Sequence, residues 1–492
     1  MQHANLPLPP SPRQTKHSNG AISTILLQKQ ESPPVIPPRV VVHAAITFND
    51  TVLLIFGGPT LDDVMMEQGA GLGIQGARQV QVQGRSSSSS SIKCSYQYAG
   101  GQVRTPALSV EDGFVRCAHP PDVGGAVRRK SVMGSPVTFE IDGQPVAIAA
   151  ANNGSSGATR YGKVGWKKIV YGWASIENEG DVILFVKGIS HGKRSALPDD
   201  LGCLFGDETM TRVVAFCQEN VRCQLPPVPR TSELAGKRIT VVLKGKIFPS
   251  VVMFEPGQSM LRLDGNPPKA LYLCACTLMW NAAKFLKEWV MYHSHLGIQK
   301  FFIYDNNSDD DIKNVIEELN KKAYNVSRHP WPWLKTQEAS FSHCAVKASR
   351  ECTWVAFIDV DEFIFPKAYI SQQKQEQNPL HVMMKHYENA NGVDLGQIKI
   401  SNFNFGPSGL TRLPKSGQMW NYIWRMQNPR RVKSIVKLSS IDLSYCSRVH
   451  HFELKSGFVS LQASRNDAVI HHYKFQVWED FKIKFVRRAA TF

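Results

Sequence analysis

The sequence predicts an α/β domain built on a parallel sheet, preceded by a β-rich module and a disordered N-terminal region. Three observations support this prediction. From about residue 270 the sequence alternates between strand-like and helix-like segments, which is typical of βαβ units. Residues 94–260 contain short β-type runs separated by Gly, Pro and Asn, and the chain begins with Pro-, Ser- and Gln-rich sequence. We therefore expect three regions, at 1–93, 94–260 and 265–492.

The composition fits a folded protein with anionic partners. The 492 residues are 42% hydrophobic and 20% charged, with a net charge of +16. A basic balance favours anionic partners. No zinc-finger, RNA-recognition or helix-turn-helix motif occurs, so nucleic-acid binding is not predicted. The ten cysteines include no pair of CxxC motifs, which argues against a zinc site and leaves reduced thiols and disulfides equally open.

The N-terminal region contains one candidate membrane anchor. The segment "VVVHAAITFNDTVLLIF" at 40–56 is interrupted by His43, Asn49 and Asp50. A transmembrane helix needs about 20 predominantly apolar residues in succession, so this segment is not predicted to be a clear anchor. The flanking Pro-rich sequence and the serine run at 84–93 predict disorder.

From residue 270 onward the first three of four predicted strands are each followed by a helix. The strands are "ALYLCACTLMW", "IQKFFIYDN", "YNVSRHPW" and "WVAFIDVDEFIFP", and the helices between them are "NAAKFLKEWVMYHSHLG", "DDIKNVIEELNKKA" and "TQEASFSHCAVKASRE". The first helix is predicted to have one buried face, made of Phe285, Leu286, Trp289, Val290 and His293. Short connections imply a parallel sheet covered by helices on both faces. In such sheets ligands bind beyond the carboxyl ends of the strands.

The stretch "WVAFIDVDEFIFP" places three carboxylates in an otherwise apolar predicted strand. Side chains alternate across a strand, so Asp359 and Asp361 are expected on one side and Val360 on the other. Two carboxylates at the end of a strand are suited to share a divalent cation, and oxygen ligands suit Mg²⁺ or Mn²⁺. The alternative is a structural pairing of these carboxylates with Lys or Arg.

A second acidic strand end has the sequence "YDNNSDDD". Asp305 and Asn306 are candidates for contacting a nucleotide there. The alternative is a turn at Asp305, followed by acidic residues at 309–311 that favour the start of the next helix. The sequence leaves both interpretations open.

Five blocks of the C-terminal half carry a resemblance to a known family. They are "CTLMWNAAKFLKEWVMYHSHLGIQKFFIYDNNSDDD", "SFSHCAVKASRECTWVAFIDVDEFIFP", "NPRRVKSIVK", "VHHFEL" and "HHYKFQVWEDFKIKF". With these blocks in this order, residues 270–490 resemble glycosyltransferase family 92 in its plant branch, which includes β-1,4-galactan galactosyltransferases. The resemblance implies a GT-A fold, that is, a Rossmann-like nucleotide-sugar domain.

The same resemblance implies an activity and a location. The activity is an inverting transfer of a hexose, with UDP-galactose as the best guess for the donor and a cell-wall glycan such as β-1,4-galactan as the acceptor. The location is the Golgi membrane, with the catalytic domain in the lumen. The resemblance also implies membrane association.

The resemblance further implies the roles of several residues. Asp359 and Asp361 would bind Mn²⁺ or Mg²⁺ under the donor diphosphate. His472 in "VIHHYKF" would be a further ligand, although a buried structural histidine is the alternative. An inverting transfer needs a general base. Glu453 and Asp467 are the candidates, and a solvated surface position is the alternative for each.

Two other features have an open interpretation. Arg431 and Lys433 in "NPRRVKSIVK" are candidates for binding the donor phosphates, but a basic run is usually a solvated face. Four tryptophans are candidates for stacking on acceptor sugars, namely Trp331, Trp333, Trp420 and Trp424. Packing in the core is the commoner role of tryptophan. The β-rich module is a possible carbohydrate-binding domain. The alternative function for the whole chain is accordingly a non-catalytic carbohydrate-binding protein or an inactive transferase remnant.

Overall fold

The computed structural model describes residues 41–48, 51–57, 92–98, 101–111, 114–119, 137–141, 144–145, 162–176, 180–189, 198, 200–227, 230–255, 270–370, 378–389 and 392–490. These residues belong to one unit that spans 39–492. The predicted disorder of 1–40 and 58–91 lies outside the described residues.

The first sheet is antiparallel apart from one edge pair. Its strands are β1 (Val41–Thr47), β2 (Thr51–Gly57), β3 (Ile92–Tyr98), β4 (Gly101–Glu111), β5 (Phe114–Ala118), β6 (Val137–Ile141), β7 (Gln144–Pro145) and β8 (Gly162–Gly165), in the order β7-β6-β3-β4-β5-β2-β1-β8. The prediction of disorder over 1–93 is wrong for β1 and β2, which pair with each other. Their apolar, β-branched sequence buries Ile46, Leu53 and Leu54 completely, which favours strands over disorder.

A second sheet follows directly in the chain. Its strands are β9 (Ile169–Ile176), β10 (Asp181–Lys187), β11 (Leu201–Phe205), β12 (Thr209–Cys217), β13 (Asn220–Gln224), β14 (Ile239–Leu243) and β15 (Lys246–Ile247), in the order β15-β14-β11-β12-β13-β10-β9. A short helix, α1 (Arg230–Glu233), connects β13 to β14. The region 94–260 is β-rich as predicted, but its strands divide between two sheets.

The third sheet begins with the predicted alternation of strands and helices. Its first four strands are parallel to one another, namely β16 (Leu271–Met279), β17 (Lys300–Asp305), β18 (Val326–Pro330) and β19 (Cys352–Phe357). The helices that connect them are α2 (Ala283–His295), α3 (Ile312–Lys321) and α4 (Gln337–Ala348). The predicted parallel sheet with intervening helices is therefore confirmed for this part of the chain.

The rest of the chain extends this sheet with strands of mixed direction. The elements are β20 (Glu362–Phe365), α5 (Lys367–Ile370), α6 (Pro379–Asn389), β21 (Asp394–Asn404), α7 (Gln418–Asn421), β22 (Arg431–Lys437), a 3₁₀ helix (Leu438–Ser440), β23 (Ser447–Arg448), β24 (His451–Phe452), β25 (Phe458–Gln462), β26 (Val469–His472) and α8 (Trp478–Ala490). The order is β18-β17-β16-β19-β22-β21-β26-β20, and β25 pairs with β21. The strand β22 is antiparallel to β19, while β20 pairs with β26.

Helix α2 buries the face that its sequence predicts. The buried residues include the five predicted ones, Phe285, Leu286, Trp289, Val290 and His293. The Trp289 indole N–H donates to the backbone carbonyl of Glu362 at 2.9 Å. Burial lowers the pKa of His293 to about 3, and its neutral ring accepts a hydrogen bond from the backbone N–H of Ile364 at 3.2 Å. The helix therefore fixes the position of β20.

All ten cysteines form disulfides. The pairs are Cys94–Cys117, Cys203–Cys223, Cys217–Cys446, Cys274–Cys352 and Cys276–Cys344. The disulfide Cys217–Cys446 links strand β12 of the second sheet to the loop before β23. This covalent link restrains the second sheet against the α/β part of the chain.

An ion-pair chain joins the first sheet to the third. The guanidinium of Arg328 in β18 binds both carboxylate oxygens of Glu111 in β4, at 2.8 and 2.9 Å. The same guanidinium binds the Asp305 carboxylate at the end of β17, and Lys313 also contacts Glu111 at 3.0 Å. Burial raises the pKa of Glu111, but these two cations outweigh it and the pKa falls below its ordinary value.

Replacing Glu111 by glutamine is expected to lower the free energy of unfolding by about 1–2 kcal/mol, because Arg328 loses a charged partner in a partly buried contact. A carboxyl with a lowered pKa in the folded state stabilises above its unfolded pKa and loses that effect as the pH falls. The difference between wild type and variant in chemical denaturation should accordingly shrink under acidic conditions. The control is Glu318→Gln. Because the ion pair of Glu318 with Lys287 is exposed, its loss should leave the unfolding midpoint unchanged. Equal effects at both positions would contradict the prediction.

No helix among the described residues is long and apolar enough to cross a membrane.

Candidate active site

The chain turns at Asp359–Asp361, at the carboxyl end of the parallel strands. The prediction of one continuous strand through 354–366 is wrong, because β19 ends at Phe357 and β20 begins at Glu362. The Glu362 backbone N–H donates to the Asp359 carbonyl at 3.0 Å and closes the turn. Asp361 and Glu362 are buried at this turn, so their charges need partners close by. In the pairing of β20 with β26, Glu362 lies opposite His472.

Glu362 is the centre of a cluster of three carboxylates, Asp359, Asp361 and Glu362, which we call the carboxylate cluster. Its side chain is fully buried. It accepts hydrogen bonds from the Asp359 backbone N–H at 2.9 Å and from the Asn402 amide at 2.6 Å. Lys433 contacts it at 2.9 Å. Burial raises the pKa of Glu362 despite the Lys433 charge. The hydrogen bonds that its carboxylate accepts from Asp359 and Asn402 fix the turn.

Asp359 is paired with a buried lysine. The Lys433 ammonium lies 2.8 Å from the Asp359 carboxylate, and His450 lies 3.5 Å from the same oxygen. Burial raises the pKa of Asp359, but Lys433 and His450 outweigh it and the pKa falls to about 2. Burial lowers the pKa of His450 to about 4. Of the two interpretations left open by the sequence, the structural pairing with lysine is the contact that Asp359 makes.

Asp361 lies between a histidine and a second lysine. The Lys484 ammonium, from helix α8, is 2.8 Å from the Asp361 carboxylate, and His472 Nε2 is 3.6 Å from its other oxygen. Burial raises the pKa of Asp361, but Lys484 and His472 lower it well below its ordinary value. Burial lowers the pKa of His472, and Asp361 and Glu362 more than reverse this effect and raise it. This position therefore attracts positive charge.

Asp361 and His472 are the pair that fits a divalent cation. Among the described residues no three His, Cys, Asp or Glu side chains converge as a complete metal site. The 3.6 Å between the carboxylate oxygen and the imidazole nitrogen is a span that one ion with bonds of about 2.1 Å can bridge. Carboxylate oxygen and imidazole nitrogen both suit Mn²⁺. The Lys484 ammonium lies beside the Asp361 carboxylate, at a position that would also attract a divalent cation.

The other acidic strand end holds its own loop. The Asp305 carboxylate is fully buried and accepts hydrogen bonds from the Ser308 backbone N–H and from Arg328, both at 2.8 Å. The Asn306 amide donates to the carbonyl oxygens of Trp331 and Trp333, at 2.7 and 3.2 Å. These contacts match the turn interpretation. A nucleotide contact by Asp305 or Asn306 stays a prediction.

The remaining predicted site residues differ in their surroundings. Arg431 is exposed at the start of β22, while Lys433 is only 3% exposed and engaged by carboxylates. A phosphate-binding role for Lys433 would require it to leave Asp359. Glu453 forms an ion pair with Arg448, and Asp467 accepts a hydrogen bond from Tyr387 at 2.7 Å. Neither contact involves a residue of the carboxylate cluster.

The sequence analysis assigned no role to three residues that the structure places here. Glu362 directly follows Asp361 and precedes the apolar residues "FIF". This position in an apolar run was the signal in the sequence that Glu362 is buried. His450 lies in the block "VHHFEL", and Lys484 in "HHYKFQVWEDFKIKF". Both blocks carry the family resemblance, but nothing in the local sequence indicates which carboxylate each side chain would meet.

Comparisons with known proteins place this site inside one family. The sequence profile of glycosyltransferase family 92 matches residues 269–491, which contain the whole carboxylate cluster. A glycosyltransferase family 92 protein of Ricinus communis is 36% identical over 418 residues, which cover 79% of this chain and 68% of that protein. The chain belongs to glycosyltransferase family 92.

Other family 92 proteins of plants are similarly related. One from Arabidopsis thaliana is 40% identical over 339 residues, which cover 66% of this chain and 58% of that protein. One from Oryza sativa subsp. japonica is 36% identical over 353 residues, which cover 66% of this chain and 58% of that protein. This family 92 chain thus spans 58% to 68% of the length of these relatives.

Solved structures resemble this family 92 chain only weakly. Glucosyl-3-phosphoglycerate synthase from Mycobacterium tuberculosis, in complex with phosphoglyceric acid, is 13% identical, with a TM-score of 0.24 over 42% of this chain and 74% of that chain. S. aureus TarS 1–349 is 14% identical, with a TM-score of 0.22 over 29% of this chain and 39% of that chain. Scores of this size do not establish a shared fold.

Proposed function

We propose that this chain is an inverting, metal-dependent glycosyltransferase with a GT-A fold, which moves a hexose from a nucleotide sugar to a glycan. The observation that carries the proposal is the approach of Asp361 to His472, inside the region that matches family 92. We propose UDP-galactose as the donor and a cell-wall glycan such as β-1,4-galactan as the acceptor, because the sequence resembles plant galactan galactosyltransferases.

In this proposal Asp361 and His472 bind Mn²⁺ or Mg²⁺, and Asp359 joins them if Lys433 releases it. The bound cation supplies neutralisation of the negative charge on the leaving diphosphate. Glu362 and Lys433 hold the turn that presents Asp361, so their function is positioning. Binding of a cation there would require Asp361 to give up its contact with the Lys484 ammonium.

The proposal also assigns residues to the nucleotide and to the general base. Exposed Arg431 is available to a donor phosphate, and Asp305 and Asn306 shape the loop where the nucleoside would enter. Glu453 and Asp467 remain predicted candidates for the general base, although each has a different partner in this structure. Either would have to exchange that partner for the acceptor hydroxyl.

The disulfides support a location for this activity. Five of them pair all ten cysteines. Disulfides persist in oxidising compartments such as the secretory pathway. This supports a compartment of the secretory pathway, and we propose with it the lumenal Golgi location and the membrane association that the family resemblance implies.

The test is UDP release from a panel of UDP-sugars, measured with Mn²⁺ and with EDTA in the presence of glycan acceptors. Wild type is expected to release UDP from one donor of the panel, and to do so with Mn²⁺ but not with EDTA. Asp361→Asn is expected to lose roughly tenfold or more of that rate, because a charged ligand is removed. The control is Asp207→Asn, in an exposed turn between β11 and β12, which should keep the wild-type rate.

Release of UDP that is insensitive to EDTA would refute the metal dependence. Absence of turnover on every donor, from folded protein with acceptor present, would favour the non-catalytic carbohydrate-binding protein or inactive remnant instead.

A further inference from the structure

The segment 406–431, which connects β21 to β22, combines exposed aromatic and basic side chains. Trp420 is 83% exposed and Trp424 is 72% exposed. The segment contains five basic residues and no Asp or Glu, the basic ones being Arg412, Lys415, Arg425, Arg430 and Arg431. All five are exposed, and none of them forms an ion pair with another described residue. We call this segment the basic-aromatic surface.

The fold holds this surface firmly although its largest side chains face solvent. The Glu288 carboxylate of α2 accepts hydrogen bonds from the backbone N–H groups of Gln418 and Met419, at 2.9 and 3.0 Å. Gly417 has a φ of +95°, and a Cβ there would collide with the same carboxylate. The Ser408 hydroxyl accepts from the N–H groups of Ile423 and Trp424, both at 2.8 Å. Exposed tryptophans on a preorganised loop are typical of a binding surface.

The same surface is tied to the candidate active site by backbone hydrogen bonds. The Gly406 N–H donates to the Trp424 carbonyl at 2.9 Å, and the adjacent Phe405 N–H donates to the His472 carbonyl at 2.7 Å. The Val477 N–H donates to the Tyr422 hydroxyl at 3.4 Å. Val477 immediately precedes α8, which carries Lys484 to Asp361. These hydrogen bonds connect the segment that carries the exposed tryptophans to the strand that carries His472 and to the start of the helix that carries Lys484.

We propose that the basic-aromatic surface binds the acceptor, and that this acceptor glycan carries carboxylates, such as those of uronic acids, in addition to the neutral galactan that receives the hexose. The inference rests on the proposed function, since it names the substrate class of the same site. Indole rings stack on the apolar faces of sugar rings. The Arg425 guanidinium lies over the Phe403 ring, 4.3 Å from its centroid, but none of the five basic residues has a carboxylate partner among the described residues. Such side chains favour an anionic ligand, and arginine binds carboxylates with two hydrogen bonds.

An anionic membrane also attracts tryptophan and basic residues. The glycan is favoured here because the surface is bonded to the segments that carry His472 and Lys484, where an acceptor must arrive. A neutral glycan would explain the tryptophans, but it would leave the basic charges and the lack of acidic residues without a role.

The test is equilibrium binding, measured by calorimetry, of an acidic oligogalacturonide and a neutral galacto-oligosaccharide of the same length. Wild type is expected to bind the acidic ligand more tightly, with an affinity that falls as salt is added. Trp424→Ala should weaken binding of the acidic ligand roughly fivefold or more. The double variant Arg412→Gln/Lys415→Gln should weaken it and reduce its salt dependence. The control Lys244→Gln/Lys246→Gln removes two exposed charges from the second sheet and should change nothing.

Equal affinity for the two oligosaccharides, or equal loss in the control, would overturn the proposal. Binding to vesicles that contain phosphatidylserine, without binding of either oligosaccharide, would overturn it in favour of a membrane surface. Thermal unfolding of each variant separates lost binding from lost folding. Because binding is measured without turnover, a failure here is distinct from a failure to release UDP.

Discussion

Replacing Lys433 by methionine is expected to lower the free energy of unfolding by about 3–5 kcal/mol, the range found when one partner of a buried ion pair is removed. The Lys433 ammonium is 2.8 Å from Asp359 and 2.9 Å from Glu362. Methionine fills a similar volume but leaves both carboxylates without this cation. Urea denaturation, with the denaturant slope compared between proteins, measures the loss.

The pH dependence of this variant follows from the carboxylates it leaves behind. Burial already raises the pKa of Glu362 in the native protein, and loss of Lys433 should raise it further. A carboxyl whose pKa is higher in the folded than in the unfolded state stabilises below its unfolded pKa, and the effect is lost as the pH rises through the folded pKa. The deficit of Lys433→Met should therefore be smaller in mildly acidic buffer than at neutral pH.

Lys437→Met is the matched control for Lys433→Met. Lys437 lies on the same strand, its side chain is 31% exposed, and its ammonium is 3.6 Å from Glu388. An exposed pair of this kind contributes about 0–1 kcal/mol. A similar loss of stability at both positions, or a Lys433→Met deficit that does not change with pH, would show that the buried carboxylates do not depend on Lys433.

Local sequence patterns predicted the framework of the α/β part well. The buried face of α2 could be predicted because apolar residues recur with the period of a helix, and the structure confirms it down to His293. The two strands at Val41–Thr47 and Thr51–Gly57 were missed. The low-complexity sequence on both sides concealed them, although Asn49 and Asp50 between two β-branched apolar runs are a recognisable turn signal.

The candidate site was predicted only in part, because its contacts are tertiary. The spacing of Asp359 and Asp361 indicated a charged strand end, but a period of two residues carries no information about a turn that ends the strand at Phe357. The partners Lys433 and Lys484 are 74 and 123 residues away along the chain. No local pattern predicts which cation will reach which carboxylate.

The contrast between these two lysines suggests different functions. Lys433 is almost completely buried and bound to two carboxylates, whereas the Lys484 side chain is 40% exposed and Asp361 is its one carboxylate partner among the described residues. The first is part of the framework of the turn. The second can leave its carboxylate by rotation of its own side chain, so it is the cation that a divalent metal would displace.

Replacing Lys484 by methionine is accordingly expected to strengthen Mn²⁺ binding by about tenfold, since metal no longer competes with a charge-assisted hydrogen bond. Partial exposure of Lys484 weakens this hydrogen bond and limits the gain in Mn²⁺ affinity. Calorimetric titration with Mn²⁺ alone measures the change without any turnover. Hydrogen exchange over 478–490 should increase when Mn²⁺ is added to wild type, because α8 loses its contact with Asp361.

Lys482→Met is the control on the same helix, where Lys482 pairs with Glu479 at 2.8 Å and the side chain is 51% exposed. It should leave Mn²⁺ affinity unchanged. Weaker Mn²⁺ binding by Lys484→Met would show that this lysine supports the bound state instead of competing with it. If neither wild type nor Lys484→Met binds Mn²⁺, the pairing of Asp361 with His472 is structural. Lys484 would then be the permanent cation of the site.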